Sequence, residues 1–157
     1  MLSAISLQRL SEVHPELSRR AQQFAQLMEA QGYPIQITQG LRSWAQQDAL
    51  YAQGRTAPGP KVTNAPGGYS NHCFGIAIDV CPFAGPKPDW NVSHPDWQEI
   101  IRIAPTVGLR DGISFRDEPH LELMEVSPMP TDEMRQTFKD AGVASVWTEL
   151  NIPAFSF

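Results

Sequence analysis

The chain has 157 residues, 41% of them hydrophobic, with a mean hydropathy of -0.30: the length and balance of one globular domain built on a single core. A net charge of -5, a pI near 5.3 and no cluster of Lys and Arg leave nothing to neutralise a run of phosphates, which excludes nucleic acid as an expected partner. The most apolar stretch, near 75–80, falls far short of the ~20 residues of a bilayer-spanning helix, so membrane insertion is excluded too.

The first residues, Met1-Leu2-Ser3-Ala4-Ile5-Ser6, lack a basic start and an unbroken apolar run. They do not read as a secretion signal, so a chain made in the cytoplasm would need other means of reaching an outside target. Over 16–31, Leu17, Ala21, Phe24, Ala25, Leu27 and Met28 recur at three- and four-residue intervals. Pro15 suits a first helical position and Gly32 a stop, so a helix is expected. Residues 35–38 alternate apolar and polar as a strand. Ser43 then caps a second expected helix to about Gln53, closed by Gly54. The Gly- and Pro-rich stretch 54–69 reads as a functional loop before His72.

A strand is expected near 75–80, a Pro-containing loop over 82–95, a helix over 96–104, a strand near 120–124 and a helix over 131–142 capped by Thr131. The tail 150–157 reads as a cover for the core. With no repeats, these elements predict one α+β domain over 1–157, a small antiparallel sheet flanked by helices. Cys73 and Cys81 bracket the 75–80 strand and could be free core thiols, a disulfide or extra metal ligands; free thiols are the favoured reading, since small thiols are commonly buried and paired cysteine zinc ligands normally stand two to four residues apart.

Within that strand region, His72 and Asp79 flank an apolar stretch containing Gly75. An ionised Asp79 among apolar neighbours needs a partner, and a divalent cation supplies one. His120 enters a second apolar-alternating run just after Asp117 and Glu118. Two imidazoles and a carboxylate are the ligand set of a catalytic zinc site, which keeps a fourth position for water, and Asp117 or Glu118 stands near enough in sequence to act as base.

The pattern Ser-x-His-x6-Asp at Ser70, His72 and Asp79, followed by acid-x-x-His at Asp117 and His120, resembles the zinc D-Ala-D-Ala carboxypeptidase and L-alanyl-D-glutamate endopeptidase family, which includes vancomycin-resistance carboxypeptidases and phage endolysins. The similarity reaches upstream through Gly40-Leu41-Arg42-Ser43, Gln47, 50–55, Pro58-Gly59, Val62-Thr63 and Ala65, so it spans about residues 12 to 125. It implies one zinc ion on His72, Asp79 and His120, with Asp117 as general base where many members carry Glu. It also implies Arg42 facing the substrate carbonyl, with Ser70 and Gln47 on the substrate side, Ser70 as a hydrogen-bond partner and Gln47 as support for the wall. The implied substrate is the stem peptide of bacterial peptidoglycan, cut as an L-alanyl-D-glutamate endopeptidase, with D-alanyl-D-alanine carboxypeptidase as the alternative. By the same resemblance, a monomer that reaches the wall after release through a partner pore is expected. A wall-binding module without catalysis would lack one of these positions, and all are filled.

The other residues carry ordinary readings. His14 and His94 precede Pro15 and Pro95 at helix starts and are not expected to bind metal. Trp44, Trp90, Trp97 and Trp147 read as packing residues, Asp111 as part of a solvated turn and Arg116 as a surface charge.

Overall fold

The periodicity over 16–31 is realised as α2, Pro15–Ala30, in the computed structural model, which describes residues 1–113 and 117–157. His14 caps this helix by accepting from the Glu16 N–H through Nδ1, and Gly32 follows its end at a φ of 86°. Leu17, Phe24 and Met28 are fully buried along one face, each contributing roughly 1.5–3 kcal/mol of apolar transfer. Ahead of it stands a helix that the sequence reading missed, α1, Ala4–Ser11, capped by Ser3. Its eight residues bury only Ser6 and Leu10, too few to show a period. Tertiary bonds hold it to the next strand: the Ile37 N–H donates to Ser6 Oγ at 3.0 Å, and Arg9 donates to the Ile37 carbonyl.

Strands β1 (Ile35–Gln39), β2 (Ala77–Ala84), β4 (Leu109–Gly112) and β5 (Asp117–Leu123) form an antiparallel sheet in the order β1-β2-β5-β4, and β3 (Lys87–Pro88) pairs with β2. Helices flank this small sheet, as the expected α+β class requires. Between β1 and β2 lies α3 (Trp44–Ala52), opened by a capping box in which Ser43 and Gln46 bond reciprocally. The strand expected at 75–80 begins later and runs further. Residues Asn71–Phe74 form a 3-10 turn, and Gly75, at φ 63°, turns the chain into β2. A Cβ there would lie 3.0 Å from the Trp147 ring and 3.3 Å from the Val13 Cα, so the position requires glycine twice over. β2 then continues through Pro82, within the segment expected as loop. Pro82 keeps its place in the strand through its carbonyl, which accepts from the Asp89 N–H at 2.9 Å, while β5 pairs with β2 only over Ala77, Ile78 and Asp79.

The helix expected at 96–104 is α4, Pro95–Ile103, continued by a 3-10 turn over Ala104–Val107. β4 was not anticipated. Asp111, expected in a turn, lies in that strand and accepts from the Ile113 N–H, and Arg116 falls outside the described residues. The strand expected at 120–124 starts at Asp117. Pro119 sits in β5 where the ladder to β4 skips from Asp117 to Leu121, so its missing N–H breaks no pair. Thr131 caps α5 (Asp132–Ala141) as expected, whereas α6 (Val143–Leu150) was not read from the sequence.

The C-terminal tail covers the core through α2. Glu16 accepts from the Phe155 N–H at 2.7 Å and from Arg19 and Arg20, and the fully buried Arg20 also bonds Glu125 and the carbonyls of Gly108 and Pro153. Cys73 and Cys81 are free and buried, as expected. Trp97 is buried, Trp44 stacks on Phe138 and Trp147 meets His14 edge-on, while Trp90 is exposed and lies against the Trp97 ring. Among the described residues, no helix is long and apolar enough to cross a membrane.

Candidate active site and metal centre

Sheet register builds the centre. Asp79 of β2 lies directly opposite His120 of β5, so both side chains leave the same face as close cross-strand neighbours. The ladder between β1 and β2 shifts between Ile37 and Gln39, beside Asp79. His72 arrives from the 3-10 turn that Gly75 ends, and its carbonyl accepts from the Arg42 N–H at 3.0 Å, tying the turn to the segment before α3.

Hydrogen bonds decide which ring nitrogens face one another. His72 Nδ1 lies 3.0 Å from the Gly40 carbonyl, which only accepts, so Nδ1 carries the proton and Nε2 looks towards Asp79 Oδ1 at 3.2 Å. His120 Nε2 lies 3.0 Å from Glu122 Oε2, and its Nδ1 stands 3.8 Å from the same Asp79 oxygen. One atom from each of His72, Asp79 and His120 therefore falls within 4.8 Å of the other two. Tetrahedral zinc with bonds of about 2.0–2.1 Å sets its ligand atoms roughly 3.3 Å apart, so this donor set fits the ion with little movement. A lone pair facing a carboxylate also calls for a cation or a proton between them.

Charge around the cluster is graded. Burial works against ionisation of Asp79, but His72, His120 and Arg42 overcome it and hold the carboxyl below its usual range. Asp117 goes the other way: burial first, then the Asp79 charge, pushes it up, although His120 and His72 pull against them. Its Oδ2 lies 3.9 Å from His120 Nδ1, and its side chain is 49% exposed, so it borders the cluster and solvent together. Glu118 is exposed.

Arg42 reaches the site between two partners. Its Nη1 donates to Gln47 Oε1 at 2.7 Å, and its Nη2 lies 3.6 Å from Asp79 Oδ2. Gln47 is fully buried and donates to the Ala65 carbonyl, so it touches Arg42 and the 54–69 loop but not the cleft surface. The cleft is about 810 Å³, with the three candidate ligands, Asp117, Arg42 and Ser70 in its lining. Lys61 and Tyr69 add a cation and a ring to its wall. The structure thus brings together all of the expected residues except Gln47, which stands one layer behind.

Sequence reasoning passed over Glu122, Asn71 and Arg110, which form a polar cluster behind His120 with Glu122 and Asn71 buried and Arg110 half-buried. The available signal was the two-residue spacing from His120 to Glu122, which puts both on one strand face. Elsewhere, Asp89, His94 and Asp96 converge at the start of α4. There, acidic side chains already complement the helix N-terminus, and Asp89 accepts from the Asn91 N–H.

The small antiparallel sheet with its flanking helices is a fold this chain shares with solved peptidases. The L-Ala D-Glu endopeptidase ChiX of Serratia marcescens superposes with a TM-score of 0.54 at 22% identity, over 78% of this chain and 90% of that one. The LD-carboxypeptidase LdcB superposes at 0.58 and 14% identity, over 87% and 68%. The chain belongs to the VanY family, described as D-alanyl-D-alanine carboxypeptidase, whose profile matches residues 10–110. It is also 38% identical over 128 residues to the peptidoglycan L-alanyl-D-glutamate endopeptidase CwlK of Bacillus subtilis (strain 168), covering 73% of this chain and 75% of that protein. The profile match contains Arg42, His72 and Asp79 and stops before Asp117 and His120, so His120 rests on its register opposite Asp79 and Asp117 on its place beside His120.

Proposed function

We propose that this protein is a zinc-dependent peptidoglycan endopeptidase that cleaves the L-alanyl-D-glutamate bond of stem peptides. The observation that carries the reading is the convergence of His72 Nε2, Asp79 Oδ1 and His120 Nδ1 at the foot of an open cleft, with Asp117 at its edge. His72, Asp79 and His120 hold the ion. When bound, zinc supplies a Lewis acid that polarises a carbonyl and lowers the pKa of water from ~15.7 towards ~7.

The chain's own groups do the rest. Asp117 accepts the proton of the attacking water on Oδ2, the oxygen nearest the cluster, and returns it to the leaving amine as the C–N bond breaks. The products are a new alanyl carboxylate and a free glutamyl amine. Arg42, held by Gln47, directs its guanidinium at the oxygen on which negative charge grows. The Ser70 hydroxyl, on the cleft wall, hydrogen-bonds the substrate backbone.

The identity to CwlK supports the endopeptidase, while the family description supports a D-alanyl-D-alanine carboxypeptidase as the second reading. Mass spectrometry of digested peptidoglycan separates them. Fragments with a new N-terminal D-Glu are expected; release of single D-Ala residues alone would establish the second reading instead.

A further inference from the structure

We propose that Glu122 is a positioning residue of the metal centre: it fixes His120 in the tautomer with its proton on Nε2 and so presents Nδ1 to the ion. This inference rests on the zinc reading above and adds a residue to it.

Glu122 is fully buried, and both of its carboxylate oxygens are engaged in hydrogen bonds. Oε2 accepts from His120 Nε2 at 3.0 Å and from Asn71 Nδ2 at 2.7 Å, while Oε1 accepts from Arg110 Nε at 3.0 Å and from Arg110 Nη2 at 2.5 Å. A carboxylate serving only to pair with Arg110 would leave its second oxygen idle. Here that oxygen is divided between His120 and the residue beside His72.

One side chain thereby touches both histidine-bearing segments, β5 and the 3-10 turn, and Asn71 fastens the arrangement further by donating to the Ser127 carbonyl at 2.8 Å. The two histidines are held by different devices. Gly40 O takes the proton of His72 on Nδ1, and Glu122 takes that of His120 on Nε2, so the rings offer opposite nitrogens to one point. Their planes cross at 80°, with centroids 5.1 Å apart.

Burying the Glu122 carboxylate costs desolvation that an apolar residue of similar volume avoids, and its partner Arg110 stays 30% exposed, so stability alone does not account for it. A carboxylate behind a ligating imidazole raises ligand basicity and locks ring orientation, and its removal typically weakens metal binding 10–100-fold.

The test begins with wild-type protein, zinc-loaded and 15N-labelled at histidine. Long-range proton–nitrogen correlation should show the proton on Nε2 of His120 and on Nδ1 of His72. Failure to bind zinc at all would reject the parent reading, whereas zinc held by Nε2 of His120 would reject this inference alone. Glu122→Gln, which keeps shape but loses charge, should weaken zinc 10–100-fold against a chromogenic chelator, with an unchanged far-UV spectrum. The loss should persist in Glu122→Gln/Arg110→Gln, where no guanidinium is stranded. Wild-type affinity in the folded single variant, or full recovery in the double, overturns the proposal. Should the variants not fold, the wild-type tautomer assignment decides it.

Discussion

Replacing Glu16 with Gln should unlatch the C-terminal tail in a pH-dependent way. Burial alone would raise the Glu16 carboxyl, but the Arg19 side-chain bonds, the Phe155 N–H and Arg20 overcome it and lower the value from 4.5 to about 2. At about 1.4 kcal/mol for each pH unit, the ionised form contributes about 3 kcal/mol to folding. That figure is an upper bound, since Arg19 is 41% exposed and solvent screens part of its share. The folded value is depressed, so the contribution is fully present above the unfolded value of 4.5 and is lost as pH falls towards 2. Urea unfolding of both proteins between pH 3 and pH 7 reads this directly, because groups they share cancel in the difference. The expected gap is about 2–3 kcal/mol at pH 7 and about 1 kcal/mol at pH 3. A gap of the same size at both ends refutes the argument, since a purely steric defect carries no pH dependence.

Asp117→Asn should keep its zinc content by metal analysis and lose about 10²- to 10⁴-fold in kcat; retained activity would transfer the base role elsewhere. Gln47→Leu removes the acceptor that holds Arg42. It should cost about 1.5–3 kcal/mol in kcat/KM, roughly ten- to more than a hundred-fold, without changing zinc affinity. Zinc at 100 times its dissociation constant should stabilise the protein by about 2.7 kcal/mol in calorimetry. His120→Ala should show no such gain.

The sequence disclosed its features unevenly, and the physical reason differs from element to element. α2 was legible because sixteen residues allow the apolar positions from Leu17 to Met28 to repeat several times between Pro15 and Gly32. α1 and α6 have eight residues each, and α1 is held by bonds from Ser6 and Arg9 to a strand some thirty positions away, which no local period records. β4 and the extension of β2 past Pro82 exist because partner strands are present, so local chemistry at Pro82 argued for a loop and tertiary pairing prevailed.

The site was legible for a related reason. Metal ligation demands particular residue types, so His72, Asp79 and His120 stand out wherever they fall in the chain. Supporting groups are less conspicuous. Glu122 resembles any strand-end carboxylate until the register puts Ala77 on one side of it and Arg110 on the other, closing off solvent. Gln47 was placed on the substrate side by motif, as support for the wall, and helix α3 turns it inward, where its amide joins Arg42 to the loop at Ala65. On the proposed mechanism its influence on catalysis passes through the direction of one guanidinium. The loop at 54–69 and Arg42 are thus mechanically joined, so a change in the loop that displaces Ala65 should reach the reacting carbonyl without touching the metal.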